Sequence, residues 1–126
     1  MEPETPHVHL LIRDHILIGT YRKGLQINLD TAKQIVEERI RFTKGKKMVA
    51  MILSDGISAV DKAAREYLAS EKGTEGLLAT AIVVSSPFDY LMGKFFIRVN
   101  KTGIPSRIFY NMREAEKWLQ QFIIEN

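Results

Sequence analysis

The sequence predicts an α/β domain with a mostly parallel five-stranded sheet, an antiparallel edge strand and four helices. Two short, continuously apolar segments, residues 48–53 and 77–84, have the composition of strands that are buried on both faces. Helical apolar periodicity follows each of them, and this alternation indicates parallel strands joined by right-handed crossovers. Two further apolar segments near the N-terminus predict a hairpin. The expected order is therefore β-β-α-β-α-β-α-β-α.

Length and composition limit the classes of protein to consider. The chain has 126 residues, which suits one domain over residues 7–126, with residues 1–6 expected to be frayed. It has no cysteine, which excludes disulfides and thiolate chemistry. The acidic, proline-containing start is unlike a signal peptide, and no apolar run approaches a membrane span, so we expect a cytoplasmic protein. A net charge of +3 is too small to indicate nucleic-acid binding.

The hairpin comes first, followed by helix one. Residues 8–12 and 16–21 are apolar and flank Asp14-His15, a turn without the glycine that two-residue loops prefer, so the sequence leaves the register open. Helix one is expected to begin near Asp30 as N-cap and to end at Gly45. Its predicted inner face is Leu29, Ala32, Val36 and Ile40. Basic residues near its end, Arg39, Arg41, Lys44, Lys46 and Lys47, are expected to complement the helix dipole.

Helix two is expected after the first buried strand. Ser58 is the predicted capping residue, with Asp61 three positions later in an approximate capping box, and Gly73 and Gly76 end the segment. Its predicted buried stripe is Val60, Ala63, Ala64, Tyr67 and Leu68.

Helix three is predicted to carry two stripes. Ser86 caps it and Pro87 takes the first helical position. The predicted core face consists of Phe88, Leu91, Met92, Phe95, Phe96 and Val99. Behind it runs a second stripe, predicted to be exposed, of Tyr90, Lys94, Ile97 and Lys101. Apolar residues with a cationic rim on an outer stripe suggest contact with another protein or with a second copy. The alternatives are a solvated face with two stray apolar residues, and contact with an anionic membrane surface.

The last strand and helix close the chain. Residues 107–110 are the expected last strand, Asn111 is the expected cap of helix four, and Glu114 completes a capping box. The apolar face of helix four is predicted to be Ala115, Trp118, Leu119, Phe122 and Ile123.

Two parts of the sequence carry a family resemblance: residues 53–68, and a set of short segments at residues 85–87, 93–96, 100–101 and 104–105. Together with the element order, they resemble the small uncharacterised bacterial proteins described as STAS-like or STAS/SEC14-like, over nearly the whole chain. STAS domains include antagonists of anti-sigma factors, in which a serine at the start of a helix is phosphorylated to release a partner. The matching segment here has Asp61, but Lys62 and Ala63 replace the two serines. The resemblance therefore implies the fold and a binding scaffold without the usual phospho-acceptor.

Side chains that could support chemistry have ordinary structural explanations. Ser58 is the nearest hydroxyl to that loop, and it is a natural helix cap. Asp55 and Asp61 could hold a metal, but acids near a helix start also complement the dipole. His7 and His9 share a strand face, whereas His15 lies on the order of 20 Å from His9 along the hairpin. We expect no metal site and no cofactor. The sequence also lacks phosphate-binding, dinucleotide and hydrolase-elbow patterns.

The first hypothesis is a non-catalytic protein-interaction module that docks reversibly with another protein or with itself. Its predicted partner-binding residues are Asp55, Ser58, Asp61, Lys62, Tyr90, Lys94, Ile97 and Lys101. The alternative is a domain that binds a lipid or another small apolar ligand, in a pocket lined by Phe88, Phe95, Phe96, Tyr110 and Trp118. An enzyme is the third hypothesis and the weakest, because no catalytic constellation is visible.

Overall fold

The sheet has the predicted architecture. The structure is a computed structural model that describes residues 7–54, 59–99 and 101–123. Its five-stranded sheet has the order β1-β2-β4-β6-β7, in which β1 and β2 are antiparallel and the other neighbours are parallel. The strands are β1 Val8–Arg13, β2 Ile16–Tyr21, β4 Met48–Leu53, β6 Leu77–Val83 and β7 Ser106–Phe109. The predicted fold class is confirmed.

Four helices connect or follow these strands. They are α1 Leu29–Thr43, α2 Lys62–Ala69, α3 Pro87–Val99 and α4 Met112–Leu119, and a 3-10 turn, Gln120–Phe122, extends α4. Asn111 caps α4 by accepting a hydrogen bond from the Glu114 amide, and Ser86 accepts one from the Asp89 amide at the start of α3. Both caps are as predicted, and they satisfy backbone donors that the first helical turn leaves without partners.

The helices cover the sheet on both faces. On one face, α1 and α2 bury Ala32, Ile35 and Ala64 against the inward residues of β1, β2 and β4. On the other face, α4 buries Ala115 and Leu119 against β2, β4, β6 and β7. Strand β4 is buried at its first four residues because successive side chains enter opposite layers.

Two helix starts differ from the prediction. The N-cap of α1 is Asn28, which accepts from the Thr31 amide, and Asp30 lies in the first turn instead. Helix α2 begins at Lys62 with Asp61 as N-cap, three residues later than the predicted cap, so Val60 is not part of its stripe. Ser58, the predicted cap, lies outside the described residues. In both places the sequence has another residue with a good capping side chain within three positions of the predicted cap. N-cap preference alone does not distinguish the two.

A second, two-stranded sheet explains the late start of α2. Strand β3, Gln26–Ile27, pairs in parallel with β5, Ala59–Val60. The Asp61 amide also donates to the carbonyl of Ile27. Sequence patterns miss strands of two residues because no periodicity can be measured over so short a length.

The hairpin turn closes without glycine. Arg13 pairs with Ile16, so Asp14 and His15 are the two loop residues, and both have left-handed backbone angles, with φ of 53° and 67°. Positive φ at both central residues defines a type I′ turn, whose twist matches that of the strands. The register is therefore that of a two-residue loop, in which Asp14 is a common choice at its position and His15 stands where glycine is usual.

Replacing His15 with glycine should stabilise the domain. A side chain in the left-handed region costs roughly 1–2 kcal/mol, and part of this is recovered when glycine takes the position. The exposed His15 side chain loses little packing. We expect the melting temperature, measured by circular dichroism, to rise by roughly 2–4 °C. Arg13→Gly, at a strand position, is the control and should lower it; equal effects of the two changes would contradict the turn assignment.

Candidate functional site

The outer face of α3 is apolar and exposed. The exposed fractions are 68% for Phe88, 62% for Leu91 and 53% for Phe95, and Met92 and Val99 are also exposed. These five residues are called the α3 outer face below. Single exposed apolar residues are normal, but contiguous patches of more than a few hundred Å² on a protein surface usually mark interaction sites.

This exposure corrects the predicted orientation of α3. The residues predicted to face the core point away from it, and Phe96, the sixth of them, is half-buried. Helical periodicity shows which residues share a face, but it does not show what that face contacts. No residue of α3 is fully buried, and the helix packs chiefly on β7, a four-residue strand at the edge of the sheet. A single short strand has too little surface to cover a second helix face.

Gly93 fixes the side of α3 that faces the sheet. A Cβ atom at this position would lie 2.8 Å from Cδ1 of Ile108 in β7, so the helix backbone lies directly on that side chain. Phe109, the next residue of β7, belongs to the layer beneath α4, so Ile108 points to the opposite face of the sheet. Helix α3 therefore lies on the same face as α1 and α2, above the edge strand.

The predicted outer stripe is turned partly inward. The ring of Tyr90 stacks on that of Tyr110, with centroids 4.5 Å apart and planes within 5°. Ile97 is half-buried, one turn beyond Gly93. Lys94 is exposed, with its Nζ atom 5.5 Å from the centroid of the Tyr90 ring, a cation–π contact. The apolar members of this stripe therefore pack against the domain.

Cationic side chains line one flank of the α3 outer face. Lys94, Arg98 and Lys101 are exposed, and none of them forms an ion pair within the part of the chain that the structure describes. Asp89 is half-buried on the other flank, near the helix N-terminus. Successive residues of a helix are rotated by about 100°, so these charges lie beside the α3 outer face and leave that face itself uncharged.

The other predicted binding residues lie at the start of α2. Asp61 is exposed, and its carboxylate accepts a hydrogen bond of 2.9 Å from the Ala64 amide. Lys62 is exposed in the first turn. Asp55 and Ser58 lie outside the described residues. Helix α2 follows β5 of the two-stranded sheet, whereas α3 follows β6 of the five-stranded sheet.

The predicted aromatic pocket does not form. Trp118 packs edge to face on Phe122 and tilts against Phe109, in the layer beneath α4. Phe88 and Phe95 are on α3, on the opposite face of the sheet. Two surface depressions, of about 520 and about 70 Å³, lie around Lys47 and Leu78, at the other end of β6 from α3. Lysine and glutamate side chains line the larger one.

Two ionisable groups with shifted pKa values, Tyr21 and Arg39, belong to the packing around α1. Burial raises the pKa of Tyr21, an effect that the charge of Arg39 opposes. Burial also lowers the pKa of Arg39, which Tyr21 and Glu75 partly counteract, and its Nη2 atom donates to the carbonyl of Glu75 at 2.7 Å. Arg39 therefore ties α1 to the segment before β6 and is not part of a solvated basic cluster.

The described residues contain no cluster of three or more side chains suited to a metal ion. His7 bonds to Gln34, and His15 occupies the hairpin turn. Within the same described part of the chain, no helix is long and apolar enough to cross a membrane.

Sequence and structure comparisons agree with this architecture. The model of a family described as a domain of unknown function, DUF7793, matches residues 10–123. The chain belongs to this family. A solved structure, an uncharacterised protein of the DUF3478 family with a SpoIIAA-like fold from Shewanella loihica PV-4, is similar with a TM-score of 0.59. Its sequence is 15% identical, and the alignment covers 93% of this chain and 98% of that one. No curated protein matches the sequence.

That likeness assigns the fold of the chain. At this level of identity the solved structure shows the fold, which is the SpoIIAA-like arrangement expected from the sequence resemblance. Membership of the DUF7793 family does not assign an activity, because this family is described only as a domain of unknown function. A function must therefore be argued from the surface of this chain.

The contact between Gly93 and Ile108 can be tested by a double-mutant cycle. Gly93→Val would force a branched side chain onto Ile108 and should cost roughly 1–3 kcal/mol, measured by denaturant unfolding. The cost of Ile108→Ala should be smaller in the Gly93→Val background than in the wild type. Gly103→Val, at a position with open space around it, is the matched control. Additive effects at residues 93 and 108 would contradict this placement of α3.

Proposed function

We propose that this protein is a non-catalytic protein-interaction module of STAS-like type, which docks a partner through the α3 outer face. The observation that carries the proposal is the exposure of five large apolar side chains on one helix face. A folded domain that presents such a face leaves apolar area in water that a partner can bury. The absence of a phosphorylatable serine at positions 62 and 63 favours docking that is controlled in some other way.

The energetic centre of the proposed surface lies at Phe88, Leu91 and Phe95. Complete burial of one large apolar side chain contributes roughly 1.5–3 kcal/mol, and aromatic anchors near the middle of an interface commonly dominate binding. Phe95 is close to the midpoint of the exposed stripe and is more than half exposed. It is therefore the residue whose loss should weaken docking most.

Charged residues would contribute to the selection of a partner. Lys94, Arg98 and Lys101 form a rim on one flank, and Lys62, at the start of α2, is a further exposed cation. Rim charges chiefly affect the rate of association and the choice of partner, whereas the buried apolar centre supplies affinity. The proposed surface thus combines the predicted cationic residues with an apolar face that lies beside the predicted stripe.

Aspartate substitution at the centre of the face should abolish docking. With the tagged full-length chain as bait in an extract of its own cells, Phe95→Asp should reduce bound partner by at least about 10-fold, since an anchor contributes ~2 kcal/mol or more. Ile12→Asp is the matched control, because Ile12 is also an exposed apolar residue but lies on β1. It should bind as the wild type does.

The proposal fails if Phe95→Asp, with an unchanged circular dichroism spectrum, retains every protein that the wild type binds. Identical losses from the Phe95→Asp and Ile12→Asp baits would also contradict it, because they would indicate a general response to apolar surface.

The start of α2 can be tested separately. Asp61→Ala should lower stability by roughly 0.5–2 kcal/mol, because it removes the cap of α2. Asp61→Ser keeps a capping oxygen and should retain most of that stability, whereas Lys62→Ala should leave it unchanged and weaken only partner capture. Thermal unfolding and the bait experiment together separate the two roles. Full capture by Lys62→Ala would remove the start of α2 from the proposed surface.

A further inference from the structure

We infer that the partner docked on the α3 outer face is a second copy of this chain, with the two α3 helices antiparallel across a two-fold axis. The inference rests on the proposed function and names the occupant of the same site. The inference is based on the symmetric spacing of the exposed residues. Docking of a different partner would not require this symmetry.

The exposed apolar residues are spaced symmetrically. Phe88, Met92, Phe95 and Val99 are separated by four, three and four positions, and all four are exposed. This is the alternating spacing of a coiled-coil seam, which places the four side chains in one stripe about 16 Å long. The spacing reads the same in both directions, so an antiparallel copy presents the same four levels in reverse order.

Antiparallel pairing matches large side chains with smaller or more flexible ones. An axis midway between residues 93 and 94 sets Phe88 opposite Val99 of the other copy and Met92 opposite Phe95. Each of the four layers then holds one phenylalanine and one smaller or unbranched apolar residue, a combination that can fill the space between helices packed about 8–10 Å apart. A parallel pair would instead set Phe88 against Phe88 and Val99 against Val99, with unequal layers.

The charged residues of α3 lie outside the seam, although the two-fold axis brings the cationic flanks of the two copies to the same side. The seam contains no charged residue, and Lys94 and Lys101 lie toward the domain side of the helix, Lys94 over the Tyr90 ring. In the antiparallel pair, Leu91 lies between the levels of Lys94 and Arg98 from the other copy, whose aliphatic stems can cover it. The opposite flank carries Asp89 and Phe96, so an acidic peptide or an anionic bilayer would meet cations on one flank of the apolar face only.

The available area is sufficient for a reversible dimer. The exposed parts of the five side chains amount to roughly 500 Å² per copy, since one aromatic side chain alone can bury about 150–250 Å². Two copies would then bury about 1,000 Å² in total, at the lower limit of specific interfaces. The dimer should therefore dissociate on dilution.

Sedimentation equilibrium tests the association on the full chain. From about 1 to about 500 μM, the range in which such an interface dissociates, the mean mass should rise from 14.4 kDa toward twice that value. Phe95→Asp should remain at the monomer mass, and Ile12→Asp should behave as the wild type does. Added salt should preserve or strengthen the dimer, because it screens repulsion between two chains of charge +3.

Cross-linking tests the antiparallel orientation. The chain has no cysteine, so a single introduced thiol reports one position. A mixture of Phe88→Cys and Val99→Cys chains should cross-link through a short bis-maleimide at least 10-fold more than either chain alone. Efficient cross-linking within each variant alone would show a parallel pair and overturn the inference.

The outcomes separate this inference from the proposed function. A wild-type chain that stays monomeric to the highest concentration overturns the dimer. If, in that case, the Phe95→Asp bait fails to bind a protein that the wild-type bait captures, the interaction module stands. If Phe95→Asp loses nothing, both fail. A chain that stays monomeric and floats with phosphatidylserine-containing vesicles, in a manner abolished by Phe95→Asp, would assign the face to a lipid surface and overturn both. A dimer that survives Phe95→Asp would place the interface elsewhere and overturn the inference.

Discussion

The structure depends on strand β4, which must be covered on both faces. Its alternating side chains, from Met48 to Met51, are almost fully buried, so layers of helices are required above and below it. Helices α1 and α2 supply one layer and α4 the other. Once these three are in place the central strands are covered, and α3, the connection to the last strand, is left above the edge of the sheet. The exposed apolar face of α3 is therefore a consequence of the other three helices covering the central strands.

Orientation of α3 is decided by the smallest residue on the helix. Apolar side chains occupy most of its circumference, so hydrophobic burial alone gives little preference for one face. Gly93 allows the backbone to lie directly on Ile108, and the stacking of Tyr90 on Tyr110 fixes the neighbouring turn. Close backbone contact on this side gains packing that a row of phenylalanines could not achieve against a four-residue strand. The bulky face is left available for another molecule.

Sequence patterns predicted most of the fold and less of the site. The sheet, its direction and the caps at Ser86 and Asn111 follow from apolar runs and capping chemistry, which are local properties. The predicted core face of α3 was wrong because its orientation depends on a tertiary contact between Gly93 and Ile108. A mid-helix glycine opposite the most apolar face was the available signal, since glycine is costly there unless another backbone or side chain approaches closely. The two-stranded sheet of β3 and β5 has no comparable signal in the sequence.

Arg39 has a consequence for how the sequence can vary among relatives. Its guanidinium bonds to the backbone carbonyl of residue 75, whereas the Glu75 side chain forms an exposed pair with Lys72. Exposed pairs of this kind contribute little to stability, and a backbone acceptor is present whatever the residue. Evolutionary drift at positions 72 and 75 should therefore be tolerated, while position 39 should favour arginine, whose long side chain reaches that carbonyl from α1. Conservation of residue 39 beside variable residues 72 and 75 would indicate that the retained contact is made to the main chain.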